Sequence, residues 1–147
     1  MTRLTRETKE TSIRLSVNAG GGEIEVETGD RFLTHMVETL AKYAGLGLEL
    51  EATGDLRHHL IEDVGICLGT ALREETPATA ARYGSALVPM DEALAQAAVD
   101  VGGRPYYVGP LPSRLYEHFL QSLAVNMGAT LHIRVIRGKD RHHMVEA

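Results

Sequence analysis

The 147-residue sequence has no tryptophan, a single cysteine and no long apolar run. Each absence excludes something. One cysteine cannot close an internal disulfide, which rules out a secreted, disulfide-stapled module. No stretch approaches the ~18 apolar residues that cross a bilayer. Residues 1–9 are polar and lack the apolar core of a signal peptide. A net charge of −5, together with the missing tryptophan, speaks against a sequence-independent nucleic-acid binder, which carries a basic patch. The expectation is a soluble, cytoplasmic, mildly acidic protein with no membrane or nucleic-acid partner. Its length suits one domain or two small fused halves.

What the chain does have is histidine, 7 in all, and six of them fall in a repeat. His58-His59-Leu60-Ile61-Glu62 returns as His142-His143-Met144-Val145-Glu146. Upstream, Arg31-Phe32-Leu33-Thr34-His35-Met36 returns as Arg114-Leu115-Tyr116-Glu117-His118-Phe119. The offset is 83 residues at His35/His118 and 84 at His58/His142. Gly45-Leu46-Gly47-Leu48-Glu49-Leu50 aligns with Gly128-Ala129-Thr130-Leu131-His132-Ile133, and Val17–Gly21 aligns with Val99–Gly103. The chain therefore reads as a single domain, 1–147, made of two repeats, 10–73 and 92–147, with a linker over 74–91. His132 alone has no histidine counterpart.

Alternation of Ile13, Leu15 and Val17 predicts a strand over 11–17, and glycines at 20–22 predict a hairpin leading to a return strand over 23–27. Asp30 is placed to cap a helix over 31–43 that buries Phe32, Met36, Leu40 and Tyr43, with Gly45 ending it. A third strand follows over 46–52, then a helix over about 58–73 carrying Ile61, Val64, Leu68 and Leu72. Composition would make residues 91–98 helical; the repeat makes them a strand, and we follow the repeat. The final helix runs about three turns past Glu62 in the first copy but one residue past Glu146 in the second, so the expectation is a further C-terminal helix beyond Ala147.

The repeated residues are those of metal ligation. On a helix His58 and Glu62 share a face, whereas adjacent His58 and His59 diverge by ~100° and suit two different ions. Six imidazoles (His35, His58, His59, His118, His142 and His143) and two carboxylates (Glu62 and Glu146) divide into two sites of three His and one Glu each. This mixed N/O set suits a divalent transition metal and leaves Mn, Fe and Zn open. Alone, His35 reads as a packed core residue and one His-His-x-x-Glu as an ordinary surface helix, but packing gives no reason to keep the constellation twice. Cys67 reads as a small buried hydrophobe. Gly20-Gly21-Gly22 is a turn, with no helix behind it to make a phosphate loop. Arg82 and Arg104 read by default as surface arginines.

These motifs together resemble one family. Arg6-x-Thr8-x-Glu10-Thr11, Phe32-Leu33-x-His35-Met36, Gly54-Asp55-Leu56 and His58-His59-x-x-Glu62-Asp63-x-Gly65 are similar to segments of imidazoleglycerol-phosphate dehydratases. So are Arg82-Tyr83-Gly84-Ser85, Gly103-Arg104-Pro105-Tyr106 and His142-His143-x-x-Glu146-Ala147. The sequence departs from that pattern in having Thr34 before His35, and in a shorter segment between Leu56 and His58. The resemblance implies an α+β fold of internally duplicated half-domains of the ribosomal S5 domain 2-like type, its sheets packed with helices. It implies dehydration of imidazole glycerol phosphate to imidazole acetol phosphate, in histidine biosynthesis, by a 24-subunit homo-oligomer. It implies two manganese ions, held at subunit interfaces by the eight repeated ligands. It assigns phosphate binding to Arg82 and Arg104, and substrate binding with acid/base catalysis to Glu10. The alternative is a non-catalytic relative that keeps the metal sites for assembly only.

Overall fold

A computed structural model describes residues 1–147. The elements run β1 (Thr2–Glu7), β2 (Thr11–Asn18), β3 (Ile24–Glu27), α1 (Arg31–Ala44), β4 (Gly47–Gly54) and α2 (Arg57–Glu75). The same order repeats as β5 (Tyr83–Met90), β6 (Ala93–Asp100), β7 (Tyr106–Val108), α3 (Arg114–Met127), β8 (Thr130–Arg137) and α4 (Arg141–Glu146). Each half is a four-stranded sheet, ordered β1-β2-β4-β3 and β5-β6-β8-β7. The architecture is α+β, with two matched sheet-and-helix halves.

Period-two patterning selects the faces of each sheet. Ile13, Leu15 and Val17 on β2 lie opposite Ala52, Leu50 and Leu48 on β4, and all six are buried. Burial of each large side chain contributes about 1.5–3 kcal/mol. α2 covers that face with Ile61, Val64 and Leu68, and it also packs on α3. Glycine makes this second contact close: a Cβ on Gly65 would stand 2.8 Å from the Phe119 carbonyl oxygen, and one on Gly69 would overlap that of Leu123.

α1 begins where Asp30 accepts from the Leu33 amide and ends at Gly45 in the left-handed conformation, φ 69°. α3 repeats this plan with Ser113 and Gly128. Residues 93–100 form a strand as the repeat requires, because sheet pairing along both edges of β6 outweighs the weak helical propensity of its alanines.

Three expectations are corrected. β2 and β3 are not a hairpin. β4 lies between them, antiparallel to β2 and parallel to β3, and the glycine turn carries the chain across the end of β4. There Gly47 is so close to Gly21 that a Cβ would sit 2.8 Å from its carbonyl oxygen. The segment 74–91 is no plain linker, since β5 occupies 83–90 and corresponds to β1 in the other half. β1 and β5 escaped the pattern because β1 has a single apolar residue, Leu4, and the apolar residues of β5 are mostly exposed. Finally, α1 buries Leu33, Val37 and Ala41, one position on from the expected stripe, and Tyr43 is 82% exposed. No helix is long and apolar enough to cross a membrane.

Candidate metal centre

The structure brings six of the eight expected ligands into two clusters, and each cluster draws on both halves. His35 on α1 meets His142 and Glu146 on α4; His118 on α3 meets His58 and Glu62 on α2. Within each group the donor atoms lie within 4.8 Å of one another. Glu146 lies 3.0 Å from His35 Nε2 and 2.6 Å from His142 Nε2. Glu62 lies 3.3 Å from His58 Nε2, and the His58 and His118 rings meet edge to face at 5.1 Å. Phe32 abuts His142, also edge to face, at 4.9 Å.

Helical spacing explains the gathering. His58 and Glu62, like His142 and Glu146, are one turn apart. His35 and His118 each sit in the second turn of their helices, α1 and α3.

The other two expected ligands are directed elsewhere. His59 Nδ1 is 2.8 Å from Asp55 and 3.6 Å from Glu10. His143 Nδ1 is 2.7 Å from Glu92, and its Nε2 is 3.7 Å from Asp91. One chain thus gathers two histidines and one glutamate per cluster, where three histidines and one glutamate were expected. The cause is the ~100° between successive residues on a helix. Hydrogen bonds to Asp55 and Glu92 raise the pKa values of His59 and His143. Glu92 in turn is held down at about 2 by the Asp140 amide and then by His143.

The partners of several supporting residues carried no sequence signal. Asp63 is buried and accepts from Thr11 Oγ1 and from Arg6, which ties the ligand-bearing turn of α2 to β1 and β2. Asp30 pairs with Arg57, the residue before His58. Glu92 was in sight as the repeat counterpart of Glu10, an offset of 82 residues, yet its partner His143 could not be read from spacing.

Arg82 and Arg104 lie far from these clusters in the chain's own fold. Both line a cleft of about 630 Å3 with Asp100, Gly103, Tyr106 and Thr130. Arg82 makes a two-pronged contact with Asp100, at 2.8 and 3.1 Å, so it is not a free surface cation. A Cβ on Gly103 would fall 2.7 Å from the Asp100 carboxylate, so a larger residue there would displace that side chain. Arg82 precedes β5 and Glu92 follows it, and an eight-residue strand is about 26 Å long.

Fold and site together define a duplicated α+β protein with paired histidine–glutamate clusters, each built from both halves. A family model described as imidazoleglycerol-phosphate dehydratase matches residues 28–147. The imidazoleglycerol-phosphate dehydratase of Clostridium botulinum is 43% identical over 97% of this chain and 81% of its own length. That of Desulfitobacterium hafniense is 44% identical over 98% and 82%. The solved structure of the Pyrococcus furiosus enzyme superposes with a TM-score of 0.88 at 41% identity, covering 98% of this chain and 85% of that one. The Staphylococcus aureus enzyme also gives 0.88, at 34% identity, covering 99% and 89%. The chain belongs to the imidazoleglycerol-phosphate dehydratase family, lyases of histidine biosynthesis.

Proposed function

We propose that this chain dehydrates imidazole glycerol phosphate to imidazole acetol phosphate with two divalent ions, one at each cluster, in a cytoplasmic homo-oligomer. The observation that carries the reading is the pair of clusters, His35–His142–Glu146 and His58–His118–Glu62, in a member of this family. Two imidazole nitrogens and one carboxylate form a donor set of intermediate softness that fits manganese. His59 and His143, turned out of their own clusters, are the third imidazoles, each given to the cluster of a neighbouring copy. The ions then lie between subunits, consistent with the 24-subunit assembly that the family resemblance implies.

When bound, the ions supply Lewis acidity toward the substrate's imidazole and diol. The protein's own groups do the rest. Arg82 and Arg104 hold the phosphate; their separation from the clusters in one chain means that a second copy brings them to the reacting end. Fixing a remote group in this way sets the geometry of the reacting carbons. Glu10, beside His59, takes the carbon-bound proton and passes it to the hydroxyl on the adjacent carbon, which departs as water, and the resulting enol becomes the ketone. Asp55 keeps the His59 ring in place.

The test is a dehydratase assay on metal-stripped and manganese-reloaded protein, with particle mass recorded on the same samples. Turnover restored by manganese is the expected result. Metal-dependent assembly without turnover would instead make the chain a non-catalytic assembly protein.

A further inference from the structure

Thr8 and Thr11 share a motif with Glu10, and Asp63 follows the cluster residue Glu62, yet none of the three takes part in the steps above. The fold joins them in one chain of hydrogen bonds that ends on the backbone of Glu10. Asp63 and Thr11 are 8% and 4% exposed. A carboxylate so placed is costly to desolvate unless its oxygens accept hydrogen bonds. Oδ1 meets the Arg6 guanidinium at a long 3.4 Å, and Oδ2 accepts from the Thr11 hydroxyl.

Thr11 gives its one hydroxyl hydrogen to Asp63, so Thr8 is the donor in the 3.1 Å contact between the two hydroxyls. Thr8 Oγ1 keeps its lone pairs for the amides of Glu10 and Thr11, which donate to it at 3.1 and 3.0 Å. The Glu10 carbonyl accepts from the Asp55 amide at 2.9 Å. Both backbone groups of Glu10 are thus held, while its side chain, 53% exposed, is left to turn.

The second half of the chain does the reverse. Thr11 and Asp63 correspond in the repeat to Ala93 and Ala147, so it has neither the hydroxyl nor the carboxylate. There the glutamate is fixed by its side chain: Glu92 accepts from two amides and meets His143. A polar pair that served only to pack strand on helix would be as useful in that half, where two alanines stand. We propose that Asp63 is a positioning residue for Glu10, which it holds against α2 through Thr11 and Thr8. This rests on the acid/base role proposed above for Glu10.

The experiment measures kinetics, bound manganese and amide exchange of residues 8–11 in the manganese-loaded protein and its variants. Thr11→Val keeps the side-chain shape without the hydroxyl. It should lower kcat about 100-fold, the effect of a misplacement near 1 Å, with KM and bound manganese unchanged. The Glu10 amide should exchange faster, and Thr11→Ser should restore both exchange and kcat. In a Glu10→Gln background Thr11→Val should cost nothing further, since both then act on one residue. Thr11→Ala/Asp63→Ala reproduces the alanine pair and leaves no unpaired carboxylate, so it decides if Thr11→Val does not fold; it should show the same loss. A parental kcat in either folded variant overturns the proposal. So does a second full loss in the Glu10→Gln background, or a loss matched by missing manganese, since the network then serves something other than Glu10. If the parent shows no turnover, or Glu10→Gln keeps it all, the proposed function or the role of Glu10 fails instead. Exchange then decides alone, and an unaltered Glu10 amide in the variants overturns the positioning.

Discussion

Nδ1 of His143 gives its hydrogen to Glu92 across 2.7 Å, which leaves Nε2 with the free lone pair. Glu92 is ionised and can only accept, so the tautomer follows from the partner. Its counterpart Glu10 stands 3.6 Å from His59, whose Nδ1 belongs to Asp55. Duplicate positions have thus taken different work. Glu92 also accepts from the amides of Lys139 and Asp140 and is fully engaged, whereas Glu10 is left at liberty to move a proton.

Glu92→Gln should therefore weaken one of the two proposed ions by about 10–100-fold, the usual effect of losing a ligand's orienting carboxylate. Manganese titration calorimetry is the measurement. Equal affinities in the variant and its parent would show that His143 needs no such support.

His35→Ala and His118→Ala each remove one ligand from a different cluster. Each should lower bound manganese from about two ions per chain to about one, and the double variant should hold none. Elemental analysis reads this directly. Loss of both ions from either single variant would mean that the clusters are not separate sites.

Asp30 caps α1 and pairs with Arg57, so its loss acts on stability. Burial pushes its pKa up, but the Leu33 amide and the Arg57 guanidinium outweigh that and hold it below the ordinary value. A depressed carboxylate pKa gives stability that is present at neutral pH. It begins to go as pH falls below about 4, the unfolded value, and is gone below the folded one. Asp30→Ala should cost about 1 kcal/mol at pH 7. Urea midpoints of parent and variant should converge below pH 4.

Gly69→Ala forces a methyl group onto the Leu123 carbonyl, where neither helix backbone has room to yield. Overpacking of this kind costs about 1–3 kcal/mol. Thermal unfolding should shift downward, and an unchanged midpoint would mean that α2 and α3 slide apart freely.

Much of this was legible in the chain. The caps at Asp30 and Gly45 and the core strands at 11–18 and 47–54 follow from local chemistry and period. The six clustered ligands follow from the duplication. β1 and β5 were not legible, because an edge strand such as Thr2–Glu7 alternates polar with polar and buries little. The β2–β4–β3 order was hidden for another reason: a glycine turn specifies a reversal of the chain, and which strand receives the returning segment depends on packing at Gly47. The outward turn of His59 and His143 needed the carboxylates Asp55 and Glu92 in three dimensions.

Each cluster takes one histidine from one half and a histidine–glutamate pair from the other. Neither half holds a complete set on its own. A protein made of a single half would reach the same arrangement only by pairing with itself about a two-fold axis, each partner lending its helix to the other. Joining the halves in one chain makes that exchange permanent. It also releases the two faces from being identical, which is what allowed Glu10 and Glu92, born as the same residue, to part company.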